Sequence, residues 1–177
     1  GGHACALDDT GVVCWGSNYN GESDVPALIN PTQVNAGVFE TCAIDDTGVV
    51  CWGSLQGRVS NPTDMPILVN PTQVSVGNWH ACALDDTGVV CWGGNNYGQL
   101  DLPELSNPIY VSAGSSDTCA IDDTGVVCWG DDAGRFIVPV LSNPTEVYVA
   151  INGRHFCALD DTGLVCWGNN NYVQTDV

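Results

Sequence analysis

Cys5-Ala6-Leu7-Asp8-Asp9-Thr10-Gly11-Val12-Val13-Cys14-Trp15-Gly16 decides the fold, because the chain repeats it almost unchanged five times. The copies open at Cys5, Cys42, Cys82, Cys119 and Cys157 and close on Cys14, Cys51, Cys91, Cys128 and Cys166. All 10 cysteines are used, each pair lies nine residues apart, and successive copies start 37, 40, 37 and 38 residues on. Such a period marks a repeat architecture, in which each unit is one supersecondary element that buries its faces only against its neighbours.

Each copy reads as a β-hairpin, over residues 3–16, 40–53, 80–93, 117–130 and 155–168. His3–Leu7 and Val12–Gly16 are runs of strand formers around Asp8-Asp9-Thr10-Gly11. Asp opens a turn by bonding its own backbone, and Gly takes the positive φ that closes it. A four-residue loop sets Leu7 opposite Val12, Ala6 opposite Val13 and Cys5 opposite Cys14, on one face of the sheet. Directly opposed Cβ atoms lie about 4.5–5.5 Å apart, close enough for a disulfide after small adjustments. A three-residue loop would throw the cysteines onto opposite faces. Buried free thiols are the competing reading. Five matched pairs with no odd cysteine favour Cys5–Cys14, Cys42–Cys51, Cys82–Cys91, Cys119–Cys128 and Cys157–Cys166 as bridges. The short paired ligand spacing of zinc sites is missing.

A third strand belongs to each unit. Pro31–Gly37 is echoed by Pro71–Gly77, Pro108–Gly114 and Pro144–Ala150, with proline at the strand start, where its missing N–H does no harm. A second constant element, Val25–Pro31, recurs at Met65–Pro71, Leu102–Pro108 and Val138–Pro144, and a variable loop separates it from the Trp-Gly. The unit is thus a three-stranded antiparallel sheet, four-stranded if the loop contributes. Cys5, Leu7 and Val12 share one apolar face, and Ala6, Val13 and Trp15 the other. A sheet buried on both faces needs neighbours on both sides, which radial blades provide. The predicted fold class is an all-β propeller of five repeats in one domain over residues 1–177.

The pattern Gly-x-x-His-x-Cys-Ala-Leu-x-x-x-Gly-x-Val-x-x-Trp-Gly-x-Asn-x-x-Gly-Gln resembles the regulator of chromosome condensation repeat. The third copy carries it as Gly77, His80, Ala83, Leu84, Gly88, Val90, Trp92, Gly93, Asn95 or Asn96, Gly98 and Gln99. The resemblance spans the whole chain and implies a β-propeller, usually of seven blades. The short period is similar to that of secreted bacterial members such as the β-lactamase-inhibitory propellers, with three-stranded blades. Such proteins act mostly as protein-binding platforms. The eukaryotic namesake's nucleotide-exchange and chromatin-binding loops find no match here, and none of their residues carries over.

Composition narrows the setting. There are 21 acidic residues against three arginines and no lysine, for a net charge of −18. That argues against nucleic acid and anionic membrane surfaces, which need clustered Lys or Arg. The longest apolar run, Phe136–Leu141, is broken by Pro139 and is far too short to span a bilayer. Oxidised cysteines imply secretion or a cell surface. Asn30, Asn70 and Asn143 precede proline and so head no glycosylation sequon.

Three constellations could carry chemistry. The position two before each leading cysteine holds His3, Glu40, His80, Asp117 and His155. Converging on an axis, these could bind a metal. The resemblance implies instead a structural histidine that bonds a neighbouring backbone, so no metal site and no cofactor is expected. The Asp-Asp tips could attract divalent cations weakly, although the alternating acidic loop of a dedicated calcium site is missing. Trp15, Trp52, Trp92, Trp129 and Trp167 recur with the strand period and read as gap fillers between blades. Tyr19, Tyr97 and Tyr172 lie in the variable loops and are the candidate contacts for a protein or a carbohydrate. No nucleophile is paired with a nearby base in the repeat, so no enzyme is expected.

The sequence therefore predicts a secreted, non-enzymatic structural repeat protein that assembles through blade edges into an extracellular fibre or layer. The alternative is an extracellular binding module: an inhibitor, a receptor ectodomain or a lectin. The expected partner is another copy or another extracellular protein, or a carbohydrate. Five hairpins against four copies of the third strand point to a longer parent chain or a contact between copies, with incomplete blades at both ends.

Overall fold

Strand pairing in the first hairpin runs one residue further than the four-residue loop implied. The computed structural model describes residues 2–53, 65–131, 137–151 and 154–177. In it β1 (His3–Asp8) pairs with β2 (Gly11–Gly16) up to Asp8↔Gly11, which leaves a two-residue turn. Asp8 Oδ1 accepts the Thr10 N–H at 2.7 Å and the Thr10 hydroxyl at 2.6 Å, while Gly11 sits at φ 115°, where a side chain would be strained. The register is the predicted one, with Cys5↔Cys14, Ala6↔Val13 and Leu7↔Val12. All five disulfides form between directly opposed residues, at Cα separations of 4.0–4.1 Å.

The same unit recurs with one strand added in front. β3 (Gln33–Ala36), β4 (Glu40–Asp45) and β5 (Gly48–Gly53) make the second blade, and β6 (Gln73–Val76), β7 (His80–Asp85) and β8 (Gly88–Gly93) the third. β9 (Tyr110–Ala113), β10 (Asp117–Asp122) and β11 (Gly125–Gly130) follow, then β12 (Glu146–Val149), β13 (His155–Asp160) and β14 (Gly163–Gly168). The added strand pairs with the first strand of the hairpin that follows it. The sequence predicts incomplete blades at both ends, but among the described residues only the first hairpin is two-stranded. The last has its partner in β12, because the third strand precedes its hairpin. No described loop supplies a fourth strand, and the described residues hold no helix.

The pleat sorts each blade into two apolar faces, and the core lies between blades. Cys42, Ile44 and Val49 of the second blade bury against Val74, Val76, Ala81, Ala83 and Trp92 of the third. Cys82 and Val89 meet Val111, Ala113, Ala120 and Trp129 in the same way. Cys119 and Ile121 meet Val147, Val149, Phe156, Ala158 and Trp167. In these three interfaces the disulfide face of one blade packs on the tryptophan face of the next, as the predicted gap-filling role requires.

β3, β6, β9 and β12 stand side by side as the innermost strands. Their free edges would leave N–H groups unpaired, and polar side chains of the preceding blade supply the acceptors. Val74 N–H donates to Gln33 Oε1 at 2.8 Å, Val76 N–H to Asn35 Oδ1 at 2.8 Å and Val111 N–H to Gln73 Oε1 at 2.9 Å. Ala113 and Val149 donate to the Ser75 and Ser112 hydroxyls.

Candidate binding faces

Antiparallel pairing gives the array two rims. The hairpin turns point one way, and in the second to fifth blades each lies beside the Asn-Pro segment that enters the blade. The described variable loops, and the described turns between inner strand and hairpin, point the other way.

On the tip rim both aspartates are engaged. Asp45 Oδ1 holds the Thr47 N–H and hydroxyl, and its Oδ2 accepts the Ile29 N–H at 2.8 Å. Asp46 Oδ2 accepts the Asn30 amide at 2.6 Å. The third blade repeats this with Asp85, Val69, Asp86 and Asn70. Asn30, Asn70, Asn107 and Asn143 sit at φ 49–51°, which Asn tolerates better than most residues. Hydrogen bonds led by the Thr47 hydroxyl hold the Asp45 carboxyl below its usual range. At Asp85 burial pushes the other way, but the Thr87, Val69 and Gly88 donors together outweigh it. Asn before Pro was therefore a structural signal: it braces the tip of the hairpin that follows.

The loop rim is built differently. In the first loop Glu22, 2% exposed, folds back so that Ser17 donates to Oε1 at 2.6 Å and the Asn20 N–H to Oε2 at 2.7 Å. The Ser17 bond is the main reason its carboxyl stays below the ordinary range. The Glu22 carbonyl accepts the Thr41 hydroxyl and the Trp52 indole N–H of the second blade. The Gln99 carbonyl does the same for Thr118 and Trp129. Each tryptophan in these two bonds therefore fills a gap and also clamps the loop that precedes its blade. The tyrosines ride on the outside of these braced loops: Tyr19 is 96% exposed, Tyr172 89% and Tyr97 49%.

The residues two before each leading cysteine do not gather into a metal centre. Among the described residues, the grouping of potential ligands is Glu40 with Cys42 and Cys51, and those sulfurs are bonded to each other. His3 Nε2 lies 2.7 Å from the Thr41 hydroxyl and His80 Nε2 2.8 Å from the Thr118 hydroxyl, each in the next blade. The expected backbone partner is thus a side-chain hydroxyl across the interface. Burial drives His80 down to about 4. It raises Glu40, 8% exposed beside its disulfide, to about 7. Asp117 begins β10 and His155 begins β13, in the same register.

Sequence reasoning missed an aromatic group on the loop rim. Phe39 and Trp79 occupy equivalent turns just ahead of Glu40 and His80, with ring centroids 5.9 Å apart. Trp79 then lines a cavity of about 260 Å³ with Gly94, Asn96, Tyr97 and Gln99. The available signal was an aromatic directly before the His/Glu position in two consecutive repeats.

Residues 72–99 and 147–174 match the regulator of chromosome condensation (RCC1) repeat. No curated protein sequence matches the chain. Among solved structures, the ectodomain of the Arabidopsis thaliana receptor kinase ACR4 is similar with TM-score 0.72 and 24% identity, over 94% of this chain and 60% of that one. The ectodomain of the Physcomitrella patens receptor kinase CR4 gives 0.74 and 24%, over 94% and 49%. Prp20p from Saccharomyces cerevisiae, described with its binding properties to Gsp1p and histones, gives 0.75 and 17%, over 99% and 57%. The chain spans about half to three-fifths of the length of these structures. Two segments of the chain thus match the regulator of chromosome condensation repeat, and its fold is that of an RCC1-like β-propeller.

Proposed function

We propose that this chain is an extracellular, non-enzymatic binding module that takes a protein partner on its loop rim. The observation that carries the reading is the contrast between the rims. Tip aspartates of the second to fifth blades are used up in bracing the fold, whereas Tyr19, Tyr97 and Tyr172 project from braced loops. Tyrosine on a rigid support gives large contact area at low entropic cost. Five disulfides suit secretion or a cell surface. Receptor kinase ectodomains among the similar structures, and yeast RCC1 (Prp20) seen bound to Kap60, support a protein partner. Weak divalent-cation binding at the tips is a subordinate proposal, checked by titrating calcium and following the Asp-Asp backbone resonances.

The test places a photo-crosslinking residue at Tyr19, Tyr97 or Tyr172, and in control proteins at Asp9 or Asp123. Each is exposed to the secreted proteins of the source culture. The reading expects one recurrent adduct from the loop positions and none from the tips. Adducts from the tips alone, or none above background, overturn it.

A second reading is assembly of copies through blade edges into an extracellular fibre or layer. The exposed flank of the first hairpin favours it, with Val13 51% and Trp15 55% exposed. Electron microscopy of the purified protein separates filaments from discrete particles. Association of this kind strengthens with salt, as repulsion between acidic tips is screened.

A further inference from the structure

Three variable loops share one plan, and that of the third blade lines a cavity. Asn18, Asn95 and Asn170 each donate from the side-chain amide to an aspartate six residues on, at 2.7–2.8 Å, and so close their loops. The loop tyrosine follows one residue on at Tyr19 and two residues on at Tyr97 and Tyr172. Tyr19 and Tyr172 stand 96% and 89% exposed, but Tyr97 is half covered. Between Tyr97 and Tyr172, which share a loop position, the difference is the residue beneath. Ser17 N–H bonds the carbonyl of Gly2 and Asn169 N–H that of Arg154, whereas Gly94 N–H bonds that of Trp79 at 2.7 Å. An indole at that point gives the third loop an aromatic floor, which Phe39 of the neighbouring blade extends at 5.9 Å.

The lining is chemically selective. Trp79 and Tyr97 supply aromatic rings, and Asn96 and Gln99 supply amides. Gln99 is locked in place, since its Oε1 accepts the Tyr97 N–H at 2.9 Å. Asn96 is exposed, and no described residue bonds its amide, so its donors and acceptor are unspent. Among the described residues no charged side chain lines the cavity, although the chain carries −18. The surrounding field repels anions, and nothing in the described lining neutralises a cation. At about 260 Å³ the space falls below the roughly 300–1,000 Å³ of sites for drug-sized ligands and suits a single ring.

We infer that this cavity is a binding site for a neutral hexopyranose unit of a glycan. The C–H-rich face of the sugar lies on the aromatic rings, whose negative π-faces attract the polarised hydrogens. The hydroxyl edge exchanges hydrogen bonds with the Asn96 amide. The site shares Tyr97 with the surface of the protein-partner reading, but it rests on Trp79 and Asn96, which that reading does not use.

The test titrates the purified chain with glucose, galactose, mannose and N-acetylglucosamine, following indole and amide resonances by NMR. At least one sugar shifts the Trp79 indole and Asn96 side-chain signals, with a dissociation constant on the order of 1 mM, as a small open site allows. Trp79→Ala weakens that binding at least about tenfold and Trp79→Phe restores most of it. Asn96→Ala, which removes no bond of the fold, weakens it several-fold, while Tyr19→Ala and Tyr172→Ala leave it unchanged. Absence of any shift with sugar at concentrations on the order of 100 mM overturns the inference. So does binding that survives Trp79→Ala and Asn96→Ala, or shifts produced only by a proline-rich peptide. None of these results bears on the crosslinking experiment above.

Discussion

Residues 3–16 and 80–93 are identical, His-Ala-Cys-Ala-Leu-Asp-Asp-Thr-Gly-Val-Val-Cys-Trp-Gly in both, and they pair in the same register. Their surroundings differ. Residues 80–93 have an inner strand and a described blade on either side, whereas residues 3–16 have one described neighbour, the second blade. Trp92 is 6% exposed and Trp15 55%. Asp85 accepts the Val69 N–H of the entering segment, and Asp8 makes only its own turn bonds. His80 is driven down to about 4, while His3 is lowered less far, chiefly by burial, with the Glu22 charge pulling it back. One sequence thus acquires two sets of properties, and the interface between blades, not the hairpin, is the unit of stability.

The largest test of that contrast is truncation of the two tryptophans. Trp92→Ala opens a cavity in the interface and should cost about 3–5 kcal/mol, whereas Trp15→Ala should cost less than about 1 kcal/mol, both read from urea midpoints. Equal losses would mean that the hairpins are stabilised from within.

Next come two buried groups with opposite pH slopes. With a folded value near 4, His80 binds fewer protons folded than unfolded, so its contribution is lost as pH falls from about 6.5 to about 4. Glu40, raised to about 7, binds more protons folded, so its contribution is full below about 4.5 and is lost as pH rises through 7. Each limb is worth about 3 kcal/mol, and the two offset each other between about pH 4.5 and 6.5. Glu40→Gln should therefore expose a stability that rises with pH across that window, and His80→Gln one that falls. Unfolding curves at pH 5 and 7 check both. If neither variant changes the slope, the two groups are not buried as described.

These hairpins also show what was legible beforehand. The nine-residue cysteine spacing and the Asp-Asp-Thr-Gly turn gave register, bridges and faces, because strand pairing is local and has a period of two. The alternation of His, Glu and Asp gave a shared position but not its partner. That partner, Thr41 or Thr118, is 38 residues away and depends on how blades stack. The aromatic cavity was hidden for the same reason: Trp79 and Tyr97 come from separate turns that only the folded loop brings together.

Removing a bridge should separate the pair less. Cys5→Ala with Cys14→Ala and Cys82→Ala with Cys91→Ala each release a loop of the same length, at about 2–3 kcal/mol. The second pair should lose somewhat more, because Cys82 is fully buried. Calorimetry of both double variants measures the difference. The smallest effect belongs to the second tip aspartate. Asp86→Ala deprives the Asn70 amide of its acceptor at an exposed site, for about 0.5–1 kcal/mol, while Asp9→Ala should be close to neutral.

The most direct measurement is an NMR titration of the imidazoles in the intact chain. His3 and His80 lie in identical sequences, so any difference between them comes from the neighbouring blades. The account predicts that His80 stays neutral until about pH 4, while His3 titrates at clearly higher pH. Coincident midpoints for the two would contradict it.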